Sequence, residues 1–251
     1  MKKYILSLLL LPLLSCGNNK NAGEIPTEAY QNSTTTVANM DHSKWNALLQ
    51  KNVSQNGNVN YKAFQQDQKQ LQVYLSELAS NVPNKSWSKN ATLAYWINTY
   101  NAYTVQLILN NYPTKSIKDI KDPWGNKFFT LGTKKYSLEE VEHEILRKMN
   151  EPRIHFAINC ASFSCPNLLN EAYSDAKLEQ QLTTVAKRFV NDASKNTITA
   201  NKIEISKIFD WFEGDFETKG SVIDYLNQYS TVKINSKAKV SYKDYNWSLN
   251  D

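Results

Sequence analysis

The 251-residue chain contains no Gly-rich phosphate loop and no internal repeat. These absences remove the common nucleotide-binding fingerprints and the solenoid architectures. It also has no apolar run of the roughly 20 residues that a membrane-spanning helix needs. Cysteine and histidine are scarce, three of each, so the fold cannot rest on a disulfide framework and any Cys/His site must draw on few residues. Charge is no more decisive. The formal net charge is +5, and the lysines are interspersed with acids, as in KSIKDIKD, which reads as a solvated surface rather than a nucleic-acid footprint.

The N-terminus, MKKYILSLLLLPLLSC, has a basic start at Lys2 and Lys3, a short apolar stretch from Ile5 to Leu14, and a small residue before Cys16. This is the pattern of a cleaved export signal, residues 1–15. Leu13-Leu14-Ser15-Cys16 resembles the lipobox of bacterial lipoproteins, which implies that Cys16 becomes the lipid-bearing mature N-terminus. Loss of Lys2 and Lys3 lowers the +5 by two, to +3. The expected location is extracytoplasmic, lipid-anchored to a bacterial membrane on the periplasmic or outer-membrane face, with the membrane as the partner implied by Cys16. Residues 17–42 are rich in Asn, Thr and Ser and read as a flexible tether. Residues 43–251 are long enough for one globular domain with its own core.

Within that domain, Trp45, Leu48 and Leu49 are spaced for a helix, and Phe64, Leu71, Leu75 and Leu78 continue a helical stripe. ATLAYWINTYNAYTVQLILNNYP carries apolar residues around more than half of a helical wheel, which predicts a central buried helix. Asn98 and Asn101 lie on its apolar faces. A buried amide without partners costs about 1–3 kcal/mol, so each must tie down irregular backbone or orient a functional group. A short hairpin is expected around Gly132. In YSLEEVEHEILRKM, Ser137 and Glu140 fit a capping box, and an α-helical wheel points Glu142 inward. The same wheel puts His143 among Glu139 and Glu140, where a half-exposed local ion pair is expected.

RIHFAINC alternates in a way that suggests a strand buried on both faces, delivering a Ser-rich loop closed by Cys165-Pro166. An amphipathic helix follows in EAYSDAKLEQQLTTVAKRFVND, then a hairpin in NTITANKIEIS. The fold class is α+β, a helix-rich domain with few short strands around a central buried helix.

Four motifs together resemble the domain-of-unknown-function family 547, found in bacterial exported proteins and as a C-terminal domain in some plant proteins. They are AYWINTYNAYTVQLILNNYP, SLEEVEHEILR, RIHFAINCASFSCPNL and YNWSLN. The resemblance, covering most of residues 90–250, implies that Asn98, Asn101, Glu142, His143, His155, Cys160 and Cys165 occupy positions typical of the family, and it implies no particular reaction.

The residues themselves leave several readings open. Cys160 and Cys165 can be a disulfide that fixes the shape of their loop, or two unpaired buried cysteines of the ordinary kind. Alternatively, Cys165 or Cys160 is a nucleophile with His155 or His143 as base, and Glu142 or Asn101 as its orienting group. Asn98 and the Ser162–Ser164 backbone would then bind substrate and donate to an oxyanion. Cys160, Cys165, His143 and His155 match no known zinc-ligand spacing, so no metal or other cofactor is expected. Thiol-dependent hydrolysis or acyl transfer competes with a non-enzymatic envelope lipoprotein, in which Trp124, Trp211 and Trp247 bind a partner or glycan.

Overall fold

The longest apolar segment becomes the axis of the molecule. In the computed structural model, which describes residues 39–251, helix α4 spans Lys89–Asn111, and every side chain from Leu93 to Leu109 is buried. Ser88 caps it, its hydroxyl accepting the Ala91 amide at 2.9 Å. A helix hydrophobic all round must be covered on every side, and the rest of the chain supplies the cover. The signal segment, Cys16 and most of the tether lie outside the described residues. Residues 39–251 fall within one compact unit.

Two helices, α2 (Tyr61–Gln66) and α3 (Gln68–Ser80), pack against α4, and α1 (Ser43–Asn52) packs on both of them. Trp45 of α1 stacks on Tyr74 of α3 with ring centres 5.7 Å apart, which seals this end of the core. The expected hairpin is present, with β1 (Phe129–Leu131) and β2 (Lys134–Tyr136) antiparallel. Gly132 makes its turn at φ +58°, a conformation that glycine adopts without strain. On the far side lie α5 (Leu178–Val190) and a three-stranded sheet. In that sheet β3 (Thr197–Ile198) pairs antiparallel with β4 (Lys202–Ile205), as expected, and β5 (Lys239–Tyr242) adds in parallel to β4. Short helices α6 (Ile208–Trp211), α7 (Glu213–Phe216) and α8 (Val222–Leu226) make up the connection from β4 to β5. The fold is a helix-rich α+β domain.

Two local expectations are corrected. Residues 140–146 form a π-helix, continued by a 3₁₀ turn at Arg147–Met149, rather than an α-helix. The Ser137 hydroxyl does accept the Glu140 amide at 3.1 Å, but the Glu140 carboxylate pairs with Lys127 and Lys134. The wider π turn brings His143 round beside Glu142, a placement that an α-helical wheel cannot give.

The expected strand at RIHFAINC is instead a 3₁₀ helix, Pro152–Phe156, followed by irregular chain. Pro152 starts it, and the Glu151 carboxylate caps it by accepting the Arg153 amide. Ile154 to Asn159 are all buried, as expected, but side chains rather than a neighbouring strand satisfy the backbone. The Asn101 amide donates to the Ala157 carbonyl at 3.0 Å, and its oxygen accepts the Asn159 amide at 2.8 Å. Asn98 does the same for Tyr173, donating to its carbonyl and accepting its amide. Both helix asparagines therefore hold loops in place.

The C-terminal YNWSLN locks the next loop. Phe163 and Ser164 donate their amides to the carbonyls of Ser248 and Asn246, at 2.7 and 3.1 Å. Leu249 in turn donates to the Lys115 carbonyl. The segment thus ties the cysteine loop to the turn that follows α4.

Candidate functional site

Six segments meet at a cleft of about 200 Å³: α4, the loop at Trp124, the π-helix, the segment 155–166, α6 with the adjoining Phe212, and the C-terminal segment. Glu142, His143, His155, Cys160 and Cys165 all line it. Five residues expected from sequence to carry chemistry therefore share one cavity, and what each can do depends on its partners.

Both described cysteines are free thiols. Ala161, at φ +57°, turns the chain sharply between them, and the Asn159 side chain holds that turn by accepting the Ala161 amide at 2.9 Å. Cys165 thereby folds back, and its sulfur accepts the Cys160 amide at 2.8 Å. Cys165 is buried and Cys160 half-buried. The Cys160 sulfur lies 3.1 Å from Ser162 Oγ and 3.3 Å from the Tyr245 hydroxyl. Ser162 Oγ donates to the Tyr245 oxygen at 3.2 Å, which leaves the tyrosine proton to point at the sulfur.

The two thiols separate electrostatically. Burial pushes the Cys160 thiol up, but hydrogen bonds from Cys165, Ser162 and Tyr245 outweigh it and hold the thiol below its ordinary range. Burial pushes Cys165 well above that range, and its hydrogen bond to Cys160 adds to the effect. Cys160 is thus the thiolate-forming member of the pair.

Glu142 is buried, and its Oε2 accepts the Tyr100 hydroxyl at 3.2 Å. Burial, reinforced by negative charge at Cys160, raises its pKa to about 7. The thiol and the carboxyl therefore compete for one proton near neutrality, because each disfavours ionisation of the other.

The histidines belong to a second network. His155 Nε2 donates to Asp215 Oδ2 at 2.7 Å, and its ring stacks on Phe212 with centres 4.0 Å apart. Arg147 clamps the same carboxylate through Nε and Nη2, at 2.6 and 2.9 Å. Its Nη1 donates to His143 Nδ1 at 2.8 Å. His143 thus accepts from an arginine, which replaces the expected ion pair with Glu139 or Glu140. Burial lowers the pKa of both histidines, with the Arg147 charge adding to the effect at His143. Burial raises the Asp215 carboxyl, but hydrogen bonds from His155 and Arg147 overcome that and hold it far below the usual range.

Among the described residues, no histidine nitrogen is hydrogen-bonded to a cysteine sulfur, so the expected Cys–His contact is absent. Asn101 bonds to Ala157 and Asn159 and to no histidine, Asn98 does not line this cleft, and Ser164 Oγ accepts the Asn246 amide rather than lining it. Ser162 alone of the expected substrate-binding residues touches the reactive sulfur. The described residues also hold no group of three His, Cys, Asp or Glu that could grip a metal ion.

One side of the cleft is aromatic. Trp124 packs on Trp247 at 5.6 Å, Trp211 stacks on Trp247 at 5.8 Å, and Tyr245 sits 4.5 Å from Trp247 between them and the sulfur. The three tryptophans singled out in the sequence therefore form one wall, with Trp211 45 % exposed.

Sequence reasoning missed Tyr100, Arg147, Asp215 and Tyr245. Tyr245 lies in the quoted YNWSLN, and Arg147 falls one α-helical turn after His143, so both carried a signal. Asp215, in an ordinary acidic stretch, carried none.

No curated protein and no solved structure matches the chain. A family model does match, over residues 84–190. That segment includes α4, the π-helix and the cysteine loop, but ends before Asp215 and YNWSLN. Residues 84–190, less than half of the chain, are thus similar to the family described as protein of unknown function, DUF547.

Proposed function

We propose that the cleft catalyses thiol-dependent hydrolysis or acyl transfer, with Cys160 as nucleophile and Glu142 as the proton carrier. The observation that carries this reading is the half-buried Cys160 sulfur, set in the cleft with hydroxyls of Ser162 and Tyr245 at 3.1 and 3.3 Å. The Cys160 thiolate attacks an acyl carbonyl while protonated Glu142 donates its proton to the leaving group. The Glu142 carboxylate then takes a proton from water, or from an acceptor hydroxyl or amine, as that group attacks the thioester and releases the Cys160 sulfur. A carboxyl titrating near 7 suits both roles. His155, oriented by Asp215, presents a neutral ring to the same cleft.

The test is alkylation of the reduced protein with iodoacetamide across pH, followed by intact-mass detection of an acyl adduct from activated esters. Alkylation with a midpoint near neutrality, lost in Cys160→Ala and retained in Cys165→Ala, is expected. An unreactive Cys160 at every pH excludes the nucleophile.

The export signal and the lipobox-like Leu13-Leu14-Ser15-Cys16 support placing this enzyme outside the cytoplasm, tethered through lipid on Cys16. No helix among the described residues is long and apolar enough to cross a membrane. Metabolic labelling with an alkyne-tagged fatty acid should mark the protein and fail to mark Cys16→Ala. A second reading, a non-enzymatic envelope protein that binds a partner or glycan, draws on the exposed aromatic wall. It predicts ligand-dependent quenching of tryptophan fluorescence that survives in Cys160→Ala, with no acyl adduct on the native protein.

A further inference from the structure

We propose that Cys160 and Cys165 are a reversible dithiol–disulfide couple, in which a hydroperoxide oxidises Cys160 and Cys165 resolves the product. The inference rests on the reading of Cys160 as the reactive thiol, but adds an oxidative chemistry that acyl transfer does not require.

The geometry is that of an attacking and a resolving sulfur. The Cys165 sulfur stands 2.8 Å from the Cys160 amide nitrogen. That nitrogen is two bonds from the Cys160 Cβ, so the two sulfurs are within a side-chain rotation of bonding distance. The left-handed Ala161 and the Asn159 side chain that holds it fix the turn that brings them together. A disulfide across four intervening residues therefore needs little backbone movement.

Exposure assigns the roles. Both sulfurs' residues line the cleft, but Cys160 is half-buried and Cys165 is buried. A small peroxide therefore meets the more exposed Cys160 first. The Cys160 thiolate attacks the distal peroxide oxygen, the O–O bond breaks, and the departing alkoxide or hydroxide takes a proton to leave as alcohol or water. Cys160 becomes a sulfenic acid, oxidised by two electrons. The Cys165 sulfur then attacks the Cys160 sulfur, loses its proton, and expels the sulfenic oxygen as water, giving one disulfide and no net oxygen on the protein. Bridging withdraws the Cys160 sulfur from reaction, so oxidation silences the cleft and spares Cys160 from irreversible sulfinic acid.

The test uses the reduced full-length chain and hydrogen peroxide, with Cys16 followed separately by peptide mapping. Cys160 and Cys165 should be lost together, a peptide joining them should appear, and iodoacetamide labelling of Cys160 should fall by about tenfold. Dithiothreitol should restore it. In Cys165→Ala, peroxide should stop at a Cys160 sulfenic acid trapped by dimedone, then proceed to sulfinic acid. Should that variant not fold, dimedone added to the native protein must compete with bridging. Oxygen accumulating on Cys160 without a Cys160–Cys165 link overturns the couple, as do two thiols that survive peroxide while Cys160 still alkylates. Either result leaves the acyl-transfer reading intact. A protein that bridges but forms no acyl adduct has the opposite meaning.

Discussion

His155 Nε2 lies 2.7 Å from Asp215 Oδ2 across 60 positions of chain, and the same oxygen receives Arg147 Nε at 2.6 Å. This carboxylate is the keystone between the 3₁₀ segment Pro152–Phe156, the 3₁₀ turn Arg147–Met149 that continues the π-helix, and α7. Its pKa is held far below the usual range by those two partners. A depressed carboxyl contributes stability that is present above its unfolded value, about 3.9, and lost as pH falls through the folded value. Asp215→Asn should therefore cost about 1–2 kcal/mol at pH 7, a figure reduced for the partial exposure of the pair. The cost should shrink progressively as pH falls below about 4. Denaturant unfolding at pH 7 and at pH 3 measures both; an equal cost at the two values rejects the ionised keystone.

Glu142 has the opposite sign. Its carboxyl keeps its proton up to about 7 in the folded protein, against about 4.3 in an unfolded chain. The stability given by that bound proton is complete below the unfolded value and is lost as pH rises to about 7. Glu142→Gln lacks this dependence, so relative to the variant the native protein should lose about 3–4 kcal/mol between pH 4 and pH 8. Equilibrium unfolding at those two values decides it, and a constant difference places the carboxylate in contact with water. The same variant should lower acyl transfer by about 10²–10⁴-fold.

The amides of α4 are structural, and their removal should show it. Asn101→Ala leaves the Ala157 carbonyl and the Asn159 amide, both buried, without the partners they have at 3.0 and 2.8 Å. The expected loss is about 2–4 kcal/mol, read by chemical denaturation. A loss under about 0.5 kcal/mol means that other groups replace those bonds.

These particulars explain how far the sequence could be read. Helix α4 and the amphipathic α5 were legible because hydrophobic periodicity is a local signal and both are long. The inward aim of Glu142 was legible for the same reason. The π turn was not, since a wheel assumes one pitch, and it is the π turn that brings His143 to the cleft. RIHFAINC misled because continuous burial looks alike in a strand and in a 3₁₀ segment whose backbone is satisfied by asparagine side chains. Cys160, Cys165 and His155 were found by residue type and proximity in sequence, Glu142 by its place on a helical wheel, and His143 only through the family resemblance. Their partners were not: Asp215 and Tyr245 arrive 60 and 85 positions later than the groups they contact, and only tertiary structure carries that information.

Tyr245 offers the sharpest test of how the reactive thiol is tuned. Its hydroxyl accepts from Ser162 Oγ at 3.2 Å and faces the Cys160 sulfur at 3.3 Å. It thus stabilises the thiolate without carrying charge of its own, since burial and the neighbouring Cys160 hold the phenol well above its ordinary pKa. Tyr245→Phe keeps the ring in the aromatic wall and removes that donor together with the acceptor for Ser162 Oγ. The alkylation midpoint of Cys160 should rise by about half to one pH unit, while unfolding stability should change by about 1 kcal/mol or less. A midpoint that stays in place assigns the depressed thiol to Ser162 and Cys165 alone. If it rises, the segment YNWSLN does more than fasten the cysteine loop, because it also sets the nucleophilicity of the residue that the loop presents.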